Sequence, residues 1–132
     1  MKSPQEMTQA ERKERWPDFA DSEMACSCCG TFSPSPSFSL LMDDAQTYRT
    51  VSGMPLPINS GYRCPQHSVE AKKKSPGEHS IAACDFGVQG EHAVKLLHFF
   101  LDRGYVGVGI NQKGNSRYVH IDRRRVPAIW SY

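Results

Sequence analysis

One aspartate constrains this chain more than any other residue. Asp85 stands inside residues 81–88, a run otherwise built of apolar and small side chains (Ile-Ala-Ala-Cys-Asp-Phe-Gly-Val). Such a run reads as a buried strand, and a carboxylate inside it is costly unless something compensates its charge. A metal ion does that well, and the chain holds matching donors. His79 lies just upstream, and Tyr-Val-His-Ile-Asp at 118–122 alternates so that Tyr118, His120 and Asp122 share one strand face. If the two strands are neighbours, His120 and Asp85 meet. Two imidazoles and a carboxylate suit zinc with an open fourth position. Satisfied polar residues in a turn and a strand would give the same pattern, and no His-Glu-x-x-His is present.

The surrounding elements indicate an α+β domain, a small antiparallel sheet packed against helices. Residues 37–49 are expected to form a helix with Leu41, Ala45 and Tyr48 on one face, ended at Ser52-Gly53. Residues 91–103 form the clearest helix, with Val94, Leu97 and Leu101 on one stripe, Leu96 and Phe100 beside it, and Gly104 as its stop. Strands are expected at 56–59, 81–88, 105–110 and 117–122, the last two joined as a hairpin. Residues 30–37 read as a loop, and residues 65–78, with three lysines, Pro76 and Gly77, as an exposed one. Residues 1–20 read as an N-terminal arm or short helix, and 21–132 as a single domain, a size that supports one modest core.

With 39% hydrophobic and 23% charged residues, wholesale disorder is excluded. A net charge of +2 is too small for a nucleic-acid binder, and the triplets Lys72-Lys73-Lys74 and Arg123-Arg124-Arg125 read as solvated surface charge. No apolar run approaches the length of a membrane span. Residues 1–15 lack the apolar core of a signal peptide, so the chain is expected to be made in the cytoplasm without its own signal and to be monomeric.

Several motifs recur in a recognisable order: Ser60-Gly61-Tyr62-Arg63-Cys64-Pro65, Ser75-Pro76-Gly77-Glu78-His79, Ala82-Ala83-Cys84-Asp85-Phe86, Gly107-Val108-Gly109-Ile110 and Tyr118-Val119-His120-Ile121-Asp122. Together they resemble the zinc D-alanyl-D-alanine carboxypeptidase family, whose relatives include phage endolysins that cut peptidoglycan stem peptides and the hedgehog signalling domain. The resemblance covers about residues 20–125, and the segment 19–30 is similar to the start of compact phage-type members. It implies a hedgehog/DD-peptidase-like fold and a zinc peptidase with His79, Asp85 and His120 as metal ligands. It implies a peptidoglycan stem peptide as substrate, the bacterial wall as the site of action, and Arg63 as holder of a substrate carboxylate through its rigid two-pronged guanidinium. The bland role for Arg63 is a salt bridge that ties down its turn.

Two departures stand out. Five residues, Ser80 to Cys84, separate His79 from Asp85, one fewer than usual in relatives and without their glycine. Where many relatives carry a catalytic carboxylate, three residues before the last ligand, this chain has Arg117. Asp122 is then the nearest acidic candidate for general base, or else orients a ligand or pairs with Arg123 or Arg124; Glu78 is a second candidate. A non-catalytic, zinc-containing wall-binding or virion module of the same fold is the alternative reading. His67 is a further candidate near the cleft, whereas His92 and His98 read as structural.

The five cysteines are Cys26, Cys28, Cys29, Cys64 and Cys84, an odd count that rules out complete pairing within one chain. A structural zinc at the Cys26–Cys29 spacing, one disulfide such as Cys29–Cys64, and reduced buried thiols all remain open.

Overall fold

The computed structural model describes residues 1–73 and 77–132; Ser75 and Pro76 of the second motif lie outside the described residues. A one-turn 3-10 helix, Pro4–Glu6, precedes α1 (Gln9–Arg15). Helix α1 starts at a capping box: the Glu11 amide donates to Thr8 Oγ1 at 3.1 Å and the Thr8 amide to the Glu11 carboxylate at 2.9 Å. After α2 (Asp21–Met24) comes α3 (Pro36–Ser52), where Ser35 caps, Pro36 occupies the first turn and Gly53 closes in the left-handed region at φ 66°. Leu41, Ala45 and Tyr48 are buried, as their spacing predicts. The residues expected to form an arm also reach the core: Trp16 and Phe19 are both buried in it, and Trp16 Nε1 donates to Asp43 of α3 at 2.9 Å.

The remaining elements are β1 (Ile58–Ser60), a 3-10 turn at Glu78–Ser80, β2 (Ala83–Phe86), α4 (Gly90–Asp102), β3 (Gly107–Asn111), β4 (Tyr118–Asp122) and β5 (Ala128–Ser131). The sheet runs β1-β2-β4-β3-β5. Four strands pair antiparallel as the sequence suggests, but β5 adds parallel to β3, so the five-stranded sheet is mixed. The short, partly exposed Ala-Ile-Trp-Ser of β5 carries little periodic signal, which is why sequence patterning misses it.

Alternation divides the sheet into two faces. Cys84, Phe86, Val108, Val119 and Ile121 are buried on the side that joins the helices in the core. Helix α4 covers them with a different stripe from the one expected. Ala93, Leu96 and Phe100 are buried, whereas Val94 and Leu101 are 67% and 49% exposed. The reason is Phe100, whose ring packs 5.7 Å from Phe86 and 4.9 Å from Tyr105 and so sets the helix rotation. Burying a side chain of this size contributes about 1.5–3 kcal/mol, more than two smaller half-exposed aliphatics recover. Ile81, expected inside the buried run, sits in the turn before β2 and is half exposed.

Candidate metal centre

The register across the sheet builds the site. Ser60 pairs with Asp85, Asp85 with His120, His120 with Gly109 and Gly109 with Trp130, a single row across all five strands on the face opposite the core. His79 is delivered from the Glu78–Ser80 turn just before β2. The five-residue interval to Asp85 does not prevent their meeting: His79 Nε2 lies 3.2 Å from Asp85 Oδ1, and His120 Nδ1 lies 3.0 Å from the same oxygen. The two imidazole rings stand 5.0 Å apart, edge to face.

The outward nitrogens decide what the inward ones can do. His79 Nδ1 is 2.7 Å from the Gly61 carbonyl, which only accepts, so Nδ1 carries the proton. His120 Nε2 lies 2.8 Å from Asp122 Oδ2 and donates to it in the same way. In the neutral tautomers that these contacts select, both inward nitrogens present lone pairs to a carboxylate oxygen. That arrangement is repulsive until a cation or added protons enter. Two oriented imidazoles and a carboxylate, each histidine buttressed on its far side, are the donor set of a zinc site.

The electrostatics agree. Burial pushes the Asp85 carboxyl up, but contacts with His120 and then His79 outweigh it and hold it well below the usual carboxylate range. Burial also opposes the charged form of His120, yet Asp122 and Asp85 raise it above the ordinary histidine value. Asp122 is fully buried and, against that burial, is held low by His120 and Arg124. Arg124 donates to both Asp122 oxygens, from Nη2 at 2.7 Å and from Nε at 2.9 and 3.0 Å, and its guanidinium lies 4.7 Å over the Trp130 ring. Asp122, a candidate for general base on sequence grounds, is thus behind His120 with both oxygens occupied. Of the alternatives the sequence left open for Asp122, orienting His120 and pairing with Arg124 are both present.

Two glycines make this stacking possible. A Cβ on Gly107 would fall on the Asp122 carboxylate, and one on Gly109 would meet the Trp130 indole at 2.6 Å. The Gly107-Val108-Gly109 motif therefore clears the space in which Asp122 and Trp130 sit beside His120.

The ligands open into a cavity of about 610 Å³. Arg63 lines it, with Nε donating to Ser60 Oγ at 3.2 Å and its two terminal nitrogens 3.6 Å from Glu70 and 3.7 Å from Asp85. Glu78, Tyr118, Trp130 and Tyr132 also face the cavity. Arg117 does not: it is exposed and donates to the Gly114 carbonyl in its own hairpin turn. His67 is elsewhere too, 3.3 Å from Ser27 Oγ.

Sequence reading missed Glu70. It belongs to a segment expected to be exposed, yet it is 1% exposed and accepts from the Gly77 amide at 2.7 Å, Lys73 at 3.0 Å and Ser80 Oγ at 3.3 Å, with Arg63 close by. Burial raises its carboxyl, and these donors together bring it below the usual range. A lone glutamate among lysines gives no pattern from which such a hub can be read.

A family model described as Peptidase M15 matches residues 17–122, most of the chain and every residue of the His-Asp-His group. The chain belongs to the peptidase M15 family. A search of curated proteins finds no match. M15 peptidases are zinc enzymes, and this M15 chain carries the donor set such an ion requires in His79, Asp85 and His120.

Proposed function

We propose that this M15 peptidase hydrolyses an amide bond in peptidoglycan stem peptides at the bacterial wall, in the manner of a phage or prophage lytic enzyme. The observation that carries the hydrolytic part is the convergence of His79 Nε2 and His120 Nδ1 on one Asp85 oxygen beside an open cavity. The substrate class is supported by the ordered motifs that resemble wall-cutting relatives. Zinc held there supplies Lewis acidity toward a carbonyl and makes water a nucleophile near neutral pH.

The chain's own residues divide the other tasks. Glu78 is, besides Asp85, the acidic residue on the cavity wall among the described residues, and it adjoins His79. On this reading Glu78 takes a proton from water and returns it to the leaving amine, a role worth about 10²–10⁴ in rate. Asp122 positions His120 instead of exchanging protons with substrate. Arg63 holds a substrate carboxylate, its guanidinium anchored by Glu70 and Ser60 so that little orientation is lost on binding. Tyr118 and Tyr132, whose rings are 5.1 Å apart on the cavity wall, supply hydroxyls toward a developing oxyanion.

Arg117 favours a second reading, a zinc-containing module that binds the wall without cutting it. Incubation of zinc-loaded protein with purified peptidoglycan, followed by mass spectrometry of soluble fragments, separates the two. Enzyme action predicts new amine and carboxyl termini in stem peptides, lost on chelation, restored by zinc, and reduced about 10²–10⁴-fold in Glu78→Gln. Wall binding with every stem-peptide bond intact would establish the second reading.

A further inference from the structure

A second group of donors lies away from the histidines. The turn after α2 carries Cys26, Cys28 and Cys29, and Cys64 comes from the segment after β1. One sulfur from each of these four residues lies within 4.8 Å of all the others. The Cys26 and Cys28 sulfurs are 3.4 Å apart and those of Cys28 and Cys64 3.3 Å apart. Four thiolates at zinc–sulfur distances of about 2.3 Å on a tetrahedron stand about 3.8 Å from one another, within this spread.

The backbone is arranged for thiolates. The Cys64 amide donates to Cys26 Sγ at 3.3 Å. The turn itself is closed by paired bonds, Gly30 amide to Cys26 carbonyl at 2.8 Å and Cys26 amide to Thr31 carbonyl at 2.8 Å, which turn the cysteines of one short segment toward a common point. A disulfide uses two of these sulfurs and leaves the other two idle, and the structure has all five cysteines free. The fifth, Cys84, is fully buried on the core face of β2 and takes no part.

We propose that Cys26, Cys28, Cys29 and Cys64 form a tetrathiolate site for zinc, separate from the His79–Asp85–His120 centre. Its role is structural: four protein ligands close the coordination sphere and leave no position for substrate. It staples the α2 turn to the residue next to Arg63, where the Tyr62 amide already bonds the Met24 carbonyl at 3.1 Å.

The test is metal content and cobalt spectroscopy on the full chain purified under reducing conditions. Wild-type protein is expected to hold about two zinc equivalents and the His79→Ala/His120→Ala variant about one. Cobalt substituted into that variant should show intense sulfur-to-metal charge-transfer absorption in the near ultraviolet. Cys28→Ser/Cys29→Ser, at two exposed positions, should lose that absorption and about one metal equivalent while the histidine centre still loads. A histidine variant that is folded by circular dichroism but holds no metal and gives no thiolate band would overturn the proposal. So would a charge-transfer band that survives in the double-serine variant, or a disulfide among the four cysteines in the freshly purified protein. Peptidase activity enters none of these readouts, so a failure here is distinct from a failure of the proposed activity.

Discussion

The histidine centre and the cysteine cluster bring metal donors together by opposite means. His79, Asp85 and His120 come from a 3-10 turn and two paired strands, and all three are buried. The rigid sheet holds each donor, and a further residue behind each histidine selects its tautomer. In the cysteine cluster three donors come from one tight turn, two of them exposed, and only Cys64 is remote. The first arrangement leaves one side open to a cavity, whereas the second offers four donors, enough to complete a tetrahedral shell. Strand register suits a site that must hold its geometry while a substrate enters. A turn suits one that closes around an ion to fasten two segments.

The largest effect that can break this comparison is at His120. His120→Ala should remove metal from the histidine centre and lower peptidase activity by more than about 10³-fold, since the zinc set falls to two ligands. Zinc titration and activity assays check this, and metal retained in the cysteine cluster would show the two sites to be independent. A smaller effect is expected at Asp122. Asp122→Asn keeps the shape but weakens the acceptor behind His120, which should cost about 10–100-fold in zinc affinity by competition with a chelator. Equal losses in kcat at saturating zinc would instead indicate that Asp122 itself handles protons.

The smallest effect is on stability, and its sign follows from the charges. In metal-free protein His120 is raised above its ordinary value, so its contribution is complete below about pH 6.5 and is lost as pH rises through the raised value. Asp85 and Asp122 are depressed, so theirs is complete above about pH 4 and is lost as pH falls through the lowered values. The metal-free protein should therefore melt highest in mild acid and lose Tm as pH rises above about 6.5. Zinc replaces the proton on His120 Nδ1, so the rise in Tm on adding zinc should grow over the same interval. A metal-free Tm that climbs steadily as pH rises above neutrality would contradict the arrangement seen around His120.

Much of this centre is legible in the chain because its residues carry their own signals. An aspartate in an apolar strand demands a partner, alternation places His120 and Asp122 on one face, and ordered motifs add His79 and Arg63. The helices expected at 37–49 and 91–103 form at Pro36–Ser52 and Gly90–Asp102, legible from their spacing and from the glycines that follow them, though the cap of the first is Ser35 and not a residue of the expected span. What is not legible depends on contacts that no local pattern encodes. The rotation of α4 follows from Phe100 meeting Phe86 and Tyr105, not from its own hydrophobic stripe. Strand β5 forms because β3 offers it an edge. Glu70 is a hub only because Arg63, Gly77 and Ser80 fold back onto it.

The sequence by itself determined the donor types, the two strands that carry Asp85 and His120, and that the Asp85 charge needs a compensating partner. Side-chain chemistry and periodicity are properties of the chain wherever it folds. Only the tertiary structure decided which nitrogen of each histidine faces inward, that Asp122 and Arg124 stand behind His120, and that Cys64 joins the turn at Cys26. Those outcomes depend on strand register and on the close approach that Gly107 and Gly109 permit, distances that exist only once segments remote in sequence are packed together.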